Sequence, residues 1–306
     1  MKKKFRYNKT WGTIAKYDGV TLPTLKKRPL VTRNSKVCLM GSCFADEMGW
    51  CLREHGINIG EVGEVKELKH VLYQWGTFFN PQNLFDCLDR VINSSWEVKD
   101  QHFAYMESEK VYWYLFMKIR AHSDNIDFVK RRLHEVERYW RYWLSESDVV
   151  VITLGLIEAW IDLENGRSWQ EFVGQVLTGK SHGNRAYFKV LSYEECLEYV
   201  GKCVRLINEL GEKKNIIITV SPIPLAYTFR DKDIIIANRY SKSVLRVVAE
   251  NIEESYDNVY YFPSFEIVTD CVGWPQAYKE EDRRHVNFDV FSAKIAPLFI
   301  EHFCDF

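Results

Sequence analysis

Two short stretches near opposite ends of the sequence contain residue types that can carry out nucleophilic chemistry. Ser42 and Cys43 stand together in G-S-C-F-A at 41–45, and Asp282 precedes His285 by three residues in D-R-R-H. An Asp at that spacing in one turn can orient the imidazole, which can then take a proton from a hydroxyl or a thiol. If the fold brings the two stretches together, we expect attack on a carbonyl group.

The local sequence predicts how the first stretch is presented. The apolar run 37–40 is typical of a buried strand, Gly41 provides a tight turn, and helical spacing of apolar residues begins near Cys43. A helix N-terminus exposes backbone N–H groups and favours a negative charge. A cysteine there, within reach of a histidine, is expected to have a lowered pKa and to be partly thiolate near neutral pH.

A third stretch matches the motifs of two other enzyme classes. Residues 174–181 (G-Q-V-L-T-G-K-S) fit the phosphate-binding loop, and residues 179–183 (G-K-S-H-G) fit the hydrolase elbow around Ser181. Both motifs need a strand before them and a helix after them, but Gly183 and Asn184 stand where the first helical turn would be. The sequence therefore favours a loop here and irregular chain over 183–190.

Strands and helices alternate along the chain, which predicts an α/β fold with a mostly parallel sheet and helices on both faces. The predicted strands are 37–40, 148–154, 215–220 and 258–262, and the predicted helices are 43–55, 81–92, 127–144, 192–210, 233–253 and 290–303. Alternating aromatic and polar residues across 96–118 predict a hairpin insertion that either covers the site or pairs at an edge of the main sheet. Residues 1–35 are expected to form an arm on a single domain at 36–306.

The composition argues against several classes of partner. The 306 residues carry a formal net charge of −1, so electrostatics gives no reason to expect nucleic acid or an anionic membrane. No apolar segment follows the basic N-terminus and none is long enough to span a bilayer, which predicts a cytoplasmic protein. The eight cysteines are scattered without C-x-x-C spacing, so we expect free thiols rather than disulfides or a metal site.

The motif G-S-C-F-A at 41–45 resembles the signature of the GSCFA family, whose members resemble the SGNH (GDSL-like) hydrolases. Further stretches are similar to the same family: G-T-F-F-N-P at 76–81, T-L-G-L-I-E-A-W at 153–160, T-V-S-P at 219–222, A-N-R-Y-S-K-S at 237–243, Y-F-P-S-F-E at 261–266 and D-R-R-H at 282–285. The resemblance covers roughly residues 36–300 and implies a three-layer α/β/α fold of the flavodoxin-like, SGNH-hydrolase type.

The resemblance also implies roles for individual residues. Alignment of the glycines places Cys43 at the nucleophile's position, and a turn shifted by one residue would place Ser42 there instead. The second oxyanion donor falls on Gly76 and the glycine of the third motif on Gly155, but the position of the third donor, an Asn in the hydrolases, is Ile157.

An apolar side chain cannot stabilise an oxyanion, and loss of one donor typically costs about 10²- to 10³-fold in rate. The candidate replacements are Asn80, His182 and Asn184, although Asn80 is also typical of the N-cap of a helix that begins at Pro81. Glu158 can hold a sugar hydroxyl. Trp160 can stack on a sugar ring, although core packing is more typical for such a residue.

Together these residues predict an acyl-group enzyme, an esterase or an O-acyltransferase that acts on a carbohydrate or a related hydroxylated substrate. Cys43 or Ser42 attacks the ester or thioester, His285 moves the proton and Asp282 orients His285. No cofactor is expected, and acyl-CoA is a candidate donor substrate. Two alternatives stay open: a nucleotide-dependent enzyme that uses 174–181, and a non-catalytic glycan-binding domain of the same fold.

Overall fold

A computed structural model describes residues 21–59, 77–106, 110–117, 123–170 and 184–306. In this part of the chain the strands are β1 (Lys36–Gly41), β2 (Asn58–Ile59), β3 (Phe103–Met106), β4 (Val111–Tyr114), β5 (Val149–Leu154), β6 (Glu158–Asp162), β7 (Ser168–Trp169), β8 (Ala186–Val190), β9 (Asn215–Val220) and β10 (Val259–Tyr261).

The helices include five that flank the main sheet and three shorter ones near the C-terminus. They are α1 (Cys43–Glu54), α2 (Pro81–Asn93), α3 (Ile126–Glu146), α4 (Tyr193–Asn208), α5 (Ile234–Ser255), α6 (Ser264–Glu266), α7 (Phe288–Val290) and α8 (Ala296–Phe303), with a 3₁₀ turn at Asp100–His102 and π-helical segments at Ile267–Val272 and Phe291–Ile295. None of the described helices combines the length and the apolar character that crossing a bilayer requires.

The main sheet has the strand order β2-β1-β5-β9-β10, and all neighbouring strands are parallel. Numbered by their appearance in the chain, these strands are ordered 2-1-3-4-5, which is the flavodoxin-like arrangement. The predicted parallel α/β sheet with flanking helices is confirmed. In such sheets a ligand binds beyond the carboxyl ends of the strands, where the strand order reverses. That point lies between β1 and β5.

Alternating residues of β5 separate two cores, one on each face of the sheet. Val150 and Ile152 belong to a core shared with α2, α3, α4 and α5, whereas Val149 and Val151 belong to a core shared with α1 and α8. Every residue of β5 is buried, which explains its continuous apolar sequence. The three-layer arrangement follows from these two cores.

Two small antiparallel sheets lie outside the main sheet. β3 pairs with β4 inside the segment for which the sequence predicts a hairpin, and this pair is separate from the main sheet rather than an edge of it. β6 pairs with both β7 and β8. The expectation of irregular chain over 183–190 is wrong for 186–190, because these residues become a strand only through pairing with β6, a partner distant in sequence.

The described part of the N-terminal arm lies against the end of the chain. The backbone N–H groups of Leu30 and Val31 donate to the carbonyl oxygen of Phe303 at 2.9 and 2.8 Å. Val31 is fully buried among residues of α1 and α8. Residues 1–20 of the predicted arm lie outside the described residues.

Gly41 allows β1 to approach β5 more closely than any other residue type would. It has φ +128°, and a Cβ there would lie 2.1 Å from the carbonyl oxygen of Thr153 and 2.4 Å from its Oγ1. Both the left-handed backbone and the missing side chain are therefore needed at this position. The following residue, Ser42, is held at a defined place above the end of the sheet.

We expect Gly41→Ala to lower the free energy of unfolding by more than about 3 kcal/mol, since steric overlap with Thr153 adds to backbone strain of about 1–3 kcal/mol. Gly56→Ala is the matched control, because Gly56 has φ +82° but nothing within 4 Å of an added Cβ. It should cost only about 1–2 kcal/mol. Urea denaturation of both variants measures the difference, and equal losses would contradict the close approach of β1 and β5.

Candidate active site

A cavity of about 250 Å³ lies at the carboxyl ends of β1, β5 and β9. The residues that directly follow these three strands, Ser42, Gly155 and Ser221, line it. Segments from elsewhere in the chain complete the wall, with Thr77 and Tyr227 among them. The cavity therefore lies where a flavodoxin-like sheet is expected to bind its ligand.

Ser42 and Cys43 form the turn from β1 into α1. Ser42 is the N-cap residue; its backbone N–H donates to Thr153 Oγ1 at 2.8 Å, and its own Oγ lies 3.2 Å from the same atom. Ser42 is only 3% exposed, whereas Cys43, the first residue of α1, is half-buried; both line the cavity. The Ser42 hydroxyl is thus engaged with Thr153, and the Cys43 thiol stands in the wall beside it.

The expected lowering of the Cys43 pKa is wrong. Burial raises the pKa of the thiol, and this effect exceeds the opposing influence of the positive charges on Arg284 and Lys242. The carboxylates of Asp46 and Glu47 raise it further. A thiol at this helix start is therefore protonated at neutral pH, and it needs a base before it can act as a nucleophile.

His285 lines the same cavity and is oriented by Asp282. Oδ1 of Asp282 accepts the backbone N–H groups of Arg284 and His285 at 2.9 and 3.0 Å, and its Oδ2 is paired with Nδ1 of His285. The hydrogen bond from His285 holds the pKa of Asp282 well below its usual range, so that the carboxylate stays ionised. In the tautomer that donates from Nδ1 to Asp282, Nε2 carries the lone pair that a general base needs.

The turn that carries His285 is attached to the rest of the site by its flanking residues. Tyr278 and Val286 form an antiparallel bridge, and Val286 is fully buried. Lys279 Nζ lies 3.4 Å from Glu47 Oε1, which joins the turn to α1. This ion pair is partly exposed and adds little stability, but it links the helix of Cys43 to the loop of His285.

Two cations to which the sequence assigned no role also line the cavity. Lys242 lies on α5, is 1% exposed, and donates from Nζ to the carbonyl oxygen of Gly155 at 2.5 Å. Arg284 is half-buried, and its Nη2 lies 3.4 Å from His285 Nε2. The motif at 237–243 contains Lys242, but only the tertiary structure reveals that this lysine is buried.

Thr77 is a further lining residue that the sequence did not indicate. It is 4% exposed, and its Oγ1 has no hydrogen-bond partner among the described residues. The next residue, Phe78, donates its backbone N–H to the carbonyl oxygen of Gly41 at 2.6 Å, which fixes this segment beside β1. A buried hydroxyl without a partner is costly, so its position calls for an explanation.

Glu158 and Trp160 belong to β6 and are not among the residues that line the cavity. Glu158 is 3% exposed and accepts hydrogen bonds from Thr228 Oγ1 at 2.6 Å and from the backbone N–H of Phe229 at 3.3 Å. It therefore holds the segment that forms one wall. Trp160 is 9% exposed, and its ring packs against Phe188 and Phe229.

The candidates for the third oxyanion donor are dispersed. Asn80 is the N-cap of α2; its Oδ1 accepts the backbone N–H of Asn83 at 2.9 Å, and it does not line the cavity. Asn184 is exposed and is also not a lining residue. Gly76, His182 and the whole stretch 174–181 lie outside the described residues.

The sequence model of the GSCFA family matches residues 36–296, which include both halves of the candidate site. The chain belongs to the GSCFA family. Its signature residues at 41–45 are those that turn β1 into α1 beside the cavity. No curated protein matches this GSCFA chain in sequence.

Several solved structures align with the GSCFA chain at low identity. A gut microbial diltiazem-metabolizing enzyme aligns with a TM-score of 0.37 and 11% identity over 93% of this chain and 48% of its own. A family two carbohydrate esterase from Clostridium thermocellum aligns with a TM-score of 0.36 and 8% identity over 89% of this chain and 65% of its own. A carbohydrate acetylesterase family member from Sinorhizobium meliloti aligns with a TM-score of 0.32 and 12% identity over 87% and 97%. The GSCFA chain thus spans about half the length of the first of these proteins.

The raised pKa of Cys43 has a measurable consequence for the GSCFA protein. Alkylation of Cys43 by iodoacetamide should accelerate about tenfold per pH unit through neutrality, with a midpoint above the ordinary thiol value of 9.0, because only the thiolate reacts. Arg284→Gln should move the midpoint higher, since a positive charge that lowers the pKa is lost. Timed alkylation with peptide mass spectrometry measures both, with Arg283→Gln as the control. A midpoint at or below 9.0 would contradict the burial argument.

Proposed function

We propose that this protein is an acyl-group enzyme in which the Cys43 thiol attacks an ester or thioester carbonyl and the acyl group then passes to a hydroxyl group or to water. The observation that carries the proposal is that Cys43 and His285, from opposite ends of the chain, line one cavity at the carboxyl end of the sheet. Asp282 pairs with His285 Nδ1. A nucleophile, a base and an orienting carboxylate are the groups that stepwise acyl transfer needs.

The steps balance with these residues alone. In the first half-reaction, Cys43 Sγ bonds to the carbonyl carbon while its proton moves to His285 Nε2, and the departing alcohol or thiol takes that proton as its bond to the carbonyl breaks. In the second, the acceptor hydroxyl or water gives a proton to Nε2 as its oxygen attacks the thioester, and Sγ leaves and is reprotonated. His285 is a base and then an acid in each half.

The surroundings of the two adjacent side chains favour Cys43 over Ser42 as the nucleophile. The Ser42 hydroxyl is buried and lies 3.2 Å from Thr153 Oγ1, whereas Cys43 is half-buried and forms no hydrogen bond through Sγ with another described residue. Because burial raises the pKa of Cys43, the thiol needs a proton acceptor, which His285 supplies. Ser42 is the second candidate.

The oxyanion requires hydrogen-bond donors near the Cys43 sulfur. The backbone N–H of Cys43 has no partner within α1, since the first N–H groups of a helix lack one. The Thr77 hydroxyl, which is unpartnered in the described structure, is the side-chain donor that takes the place of the missing Asn. Ile157 cannot do so, because it is fully buried and its backbone N–H donates to Ser241 Oγ at 3.1 Å.

An aromatic rim supports a carbohydrate as the hydroxyl-bearing substrate. Tyr227 lines the cavity and is 41% exposed, and Phe229, which is 42% exposed, lies with its ring centroid 6.0 Å away. Exposed aromatic faces beside a site offer an apolar surface on which a sugar ring can stack. On this proposal the enzyme is an esterase or O-acyltransferase, with acyl-CoA as the candidate donor for transfer.

Intact-protein mass spectrometry after incubation with 4-nitrophenyl acetate or acetyl-CoA tests the proposal. We expect wild type and Ser42→Ala to gain one acetyl group and Cys43→Ala to gain none. His285→Gln should acylate at least about 10²-fold more slowly, since a general base is lost. If the mass gain persists in Cys43→Ala and disappears in Ser42→Ala, Ser42 is the nucleophile. If none of the proteins gains a site-specific acetyl group, the proposed acyl-enzyme is refuted.

Thr77→Val tests the proposed oxyanion donor. Because the hydroxyl has no partner among the described residues, its loss should leave the free energy of unfolding unchanged or slightly higher. The acylation rate should nevertheless fall about 10²- to 10³-fold, as expected for one oxyanion donor. Thr77→Ser, which keeps the hydroxyl, is the matched control and should retain most of the rate.

Stopped-flow acylation and urea denaturation separate the two roles of Thr77. A variant that loses stability and rate together would point to a structural role. A Thr77→Val protein with the wild-type rate would remove Thr77 from the oxyanion site.

A further inference from the structure

The cavity is lined by more positive charge than the proposed acyl transfer uses. Lys242 and Arg284 line it together with His285, whereas no Asp or Glu is among the described lining residues. The tetrahedral intermediate develops one negative charge, and the proton on His285 balances it. Lys242 and Arg284 therefore bring positive charge beyond the requirement of the reacting atoms.

Arg284 is held in place by the same carboxylate that orients the base. Its backbone N–H donates to Asp282 Oδ1 at 2.9 Å, and its guanidinium lies 3.4 Å from His285 Nε2. Among the described residues no carboxylate forms an ion pair with this guanidinium. A half-buried guanidinium that faces a cavity is well suited to bind a carboxylate or a phosphate through two parallel hydrogen bonds.

Lys242 brings a second positive charge to the cavity wall from a different element, α5. It is 1% exposed on α5, and the carbonyl oxygen of Gly155 accepts from its ammonium. Lys242 and Arg284 line the same cavity as Cys43, and the charges of both act on its sulfur.

We infer, on the basis of the proposed acyl-group function, that the substrate carries a carboxylate or a phosphate within a few bonds of the reacting carbonyl, and that Arg284 and Lys242 bind this group. The volume of about 250 Å³ admits a short acyl chain with one such group. Asp46 and Glu47 are the nearest acidic residues on α1, but they do not line the cavity, and Glu47 is paired with Lys279.

Two small alkylating agents isolate this charge selectivity without any need for turnover. Iodoacetate and iodoacetamide differ by a carboxylate in place of an amide, and both react with thiolates, so their rate ratio cancels changes in the thiolate fraction. Cys271 is an internal reference, because it is also half-buried but is flanked by acidic residues, Asp270 and Glu266. Peptide mass spectrometry measures both sites in one sample.

At low salt the iodoacetate-to-iodoacetamide ratio should be at least about tenfold higher at Cys43 than at Cys271, as a cation-lined cleft concentrates anions. Arg284→Gln should lower the ratio at Cys43 about fivefold, and Lys242→Met should also lower it. Arg283→Gln removes the same charge one residue away, at an exposed position outside the lining, and should leave the ratio unchanged. Equal ratios at the two cysteines, or equal effects of Arg283→Gln and Arg284→Gln, would overturn the inference.

Acyl donors then identify the source of the anion. The wild type and Arg284→Gln are compared with 4-nitrophenyl hydrogen succinate, with its neutral methyl ester, and with acetyl phosphate. If the wild type reacts faster with the hydrogen succinate than with the neutral ester, and Arg284→Gln abolishes this difference, the anionic group is a carboxylate on the acyl group. If acetyl phosphate gives the same pattern, the anionic group is a phosphate on the leaving group. If the neutral ester acylates the protein as fast as or faster than both anionic donors, the inference is overturned. If no donor acylates the protein, the proposed function fails, whereas the alkylation ratio still decides the charge selectivity.

Discussion

The contact between the end of β1 and the end of β5 determines where the candidate site lies. Gly41 and Thr153 approach so closely that no Cβ fits between them, and the Ser42 N–H is held by Thr153 Oγ1 at 2.8 Å. The segment of Thr77 is fixed to the same place, because the Phe78 N–H donates to the carbonyl oxygen of Gly41 at 2.6 Å. Three segments distant in sequence therefore meet at the turn that precedes Cys43.

His285, the proposed base, is held differently from Cys43, the proposed nucleophile. His285 and Asp282 lie on a turn outside the sheet, with side-chain exposures of 29% and 40%, and the turn is secured by local hydrogen bonds and by the partly exposed Lys279–Glu47 pair. Interactions of this kind orient a side chain but contribute little to stability. Cys43 thus follows a turn fixed to the main sheet, whereas the orientation of His285 depends on Asp282.

Desolvation dominates the pKa of the Cys43 thiol. Burial raises this pKa despite the positive charges of Arg284 and Lys242, so the thiol is protonated at neutral pH. At Lys242, the Gly155 carbonyl partly offsets the cost of burying the ammonium. Glu158 is buried as well, but its carboxylate is occupied by Thr228 and Phe229, and so it shapes the wall.

The sequence by itself determined the main parallel sheet and the family. Buried parallel strands are apolar throughout, so 148–154 and 215–220 were predicted to within one residue of β5 and β9, and the glycine turn into α1 follows from local conformational preference. The G-S-C-F-A signature and its companion stretches correctly predicted the family. Whether His285 acts on Cys43 stays a prediction, although the fold brings both to one cavity.

Only the tertiary structure decided the features that depend on burial and on partners distant in sequence. Residues 186–190 form a strand because β6 lies beside them. Glu158 holds a wall segment because the Thr228 hydroxyl donates a hydrogen bond to its carboxylate. The raised pKa of Cys43 and the burial of Lys242 have the same origin, and so does the Thr77 hydroxyl, which has no partner among the described residues. Periodicity and turn preferences are local properties of a sequence, whereas desolvation is a sum over every segment that surrounds a group, and that sum exists only in the folded chain.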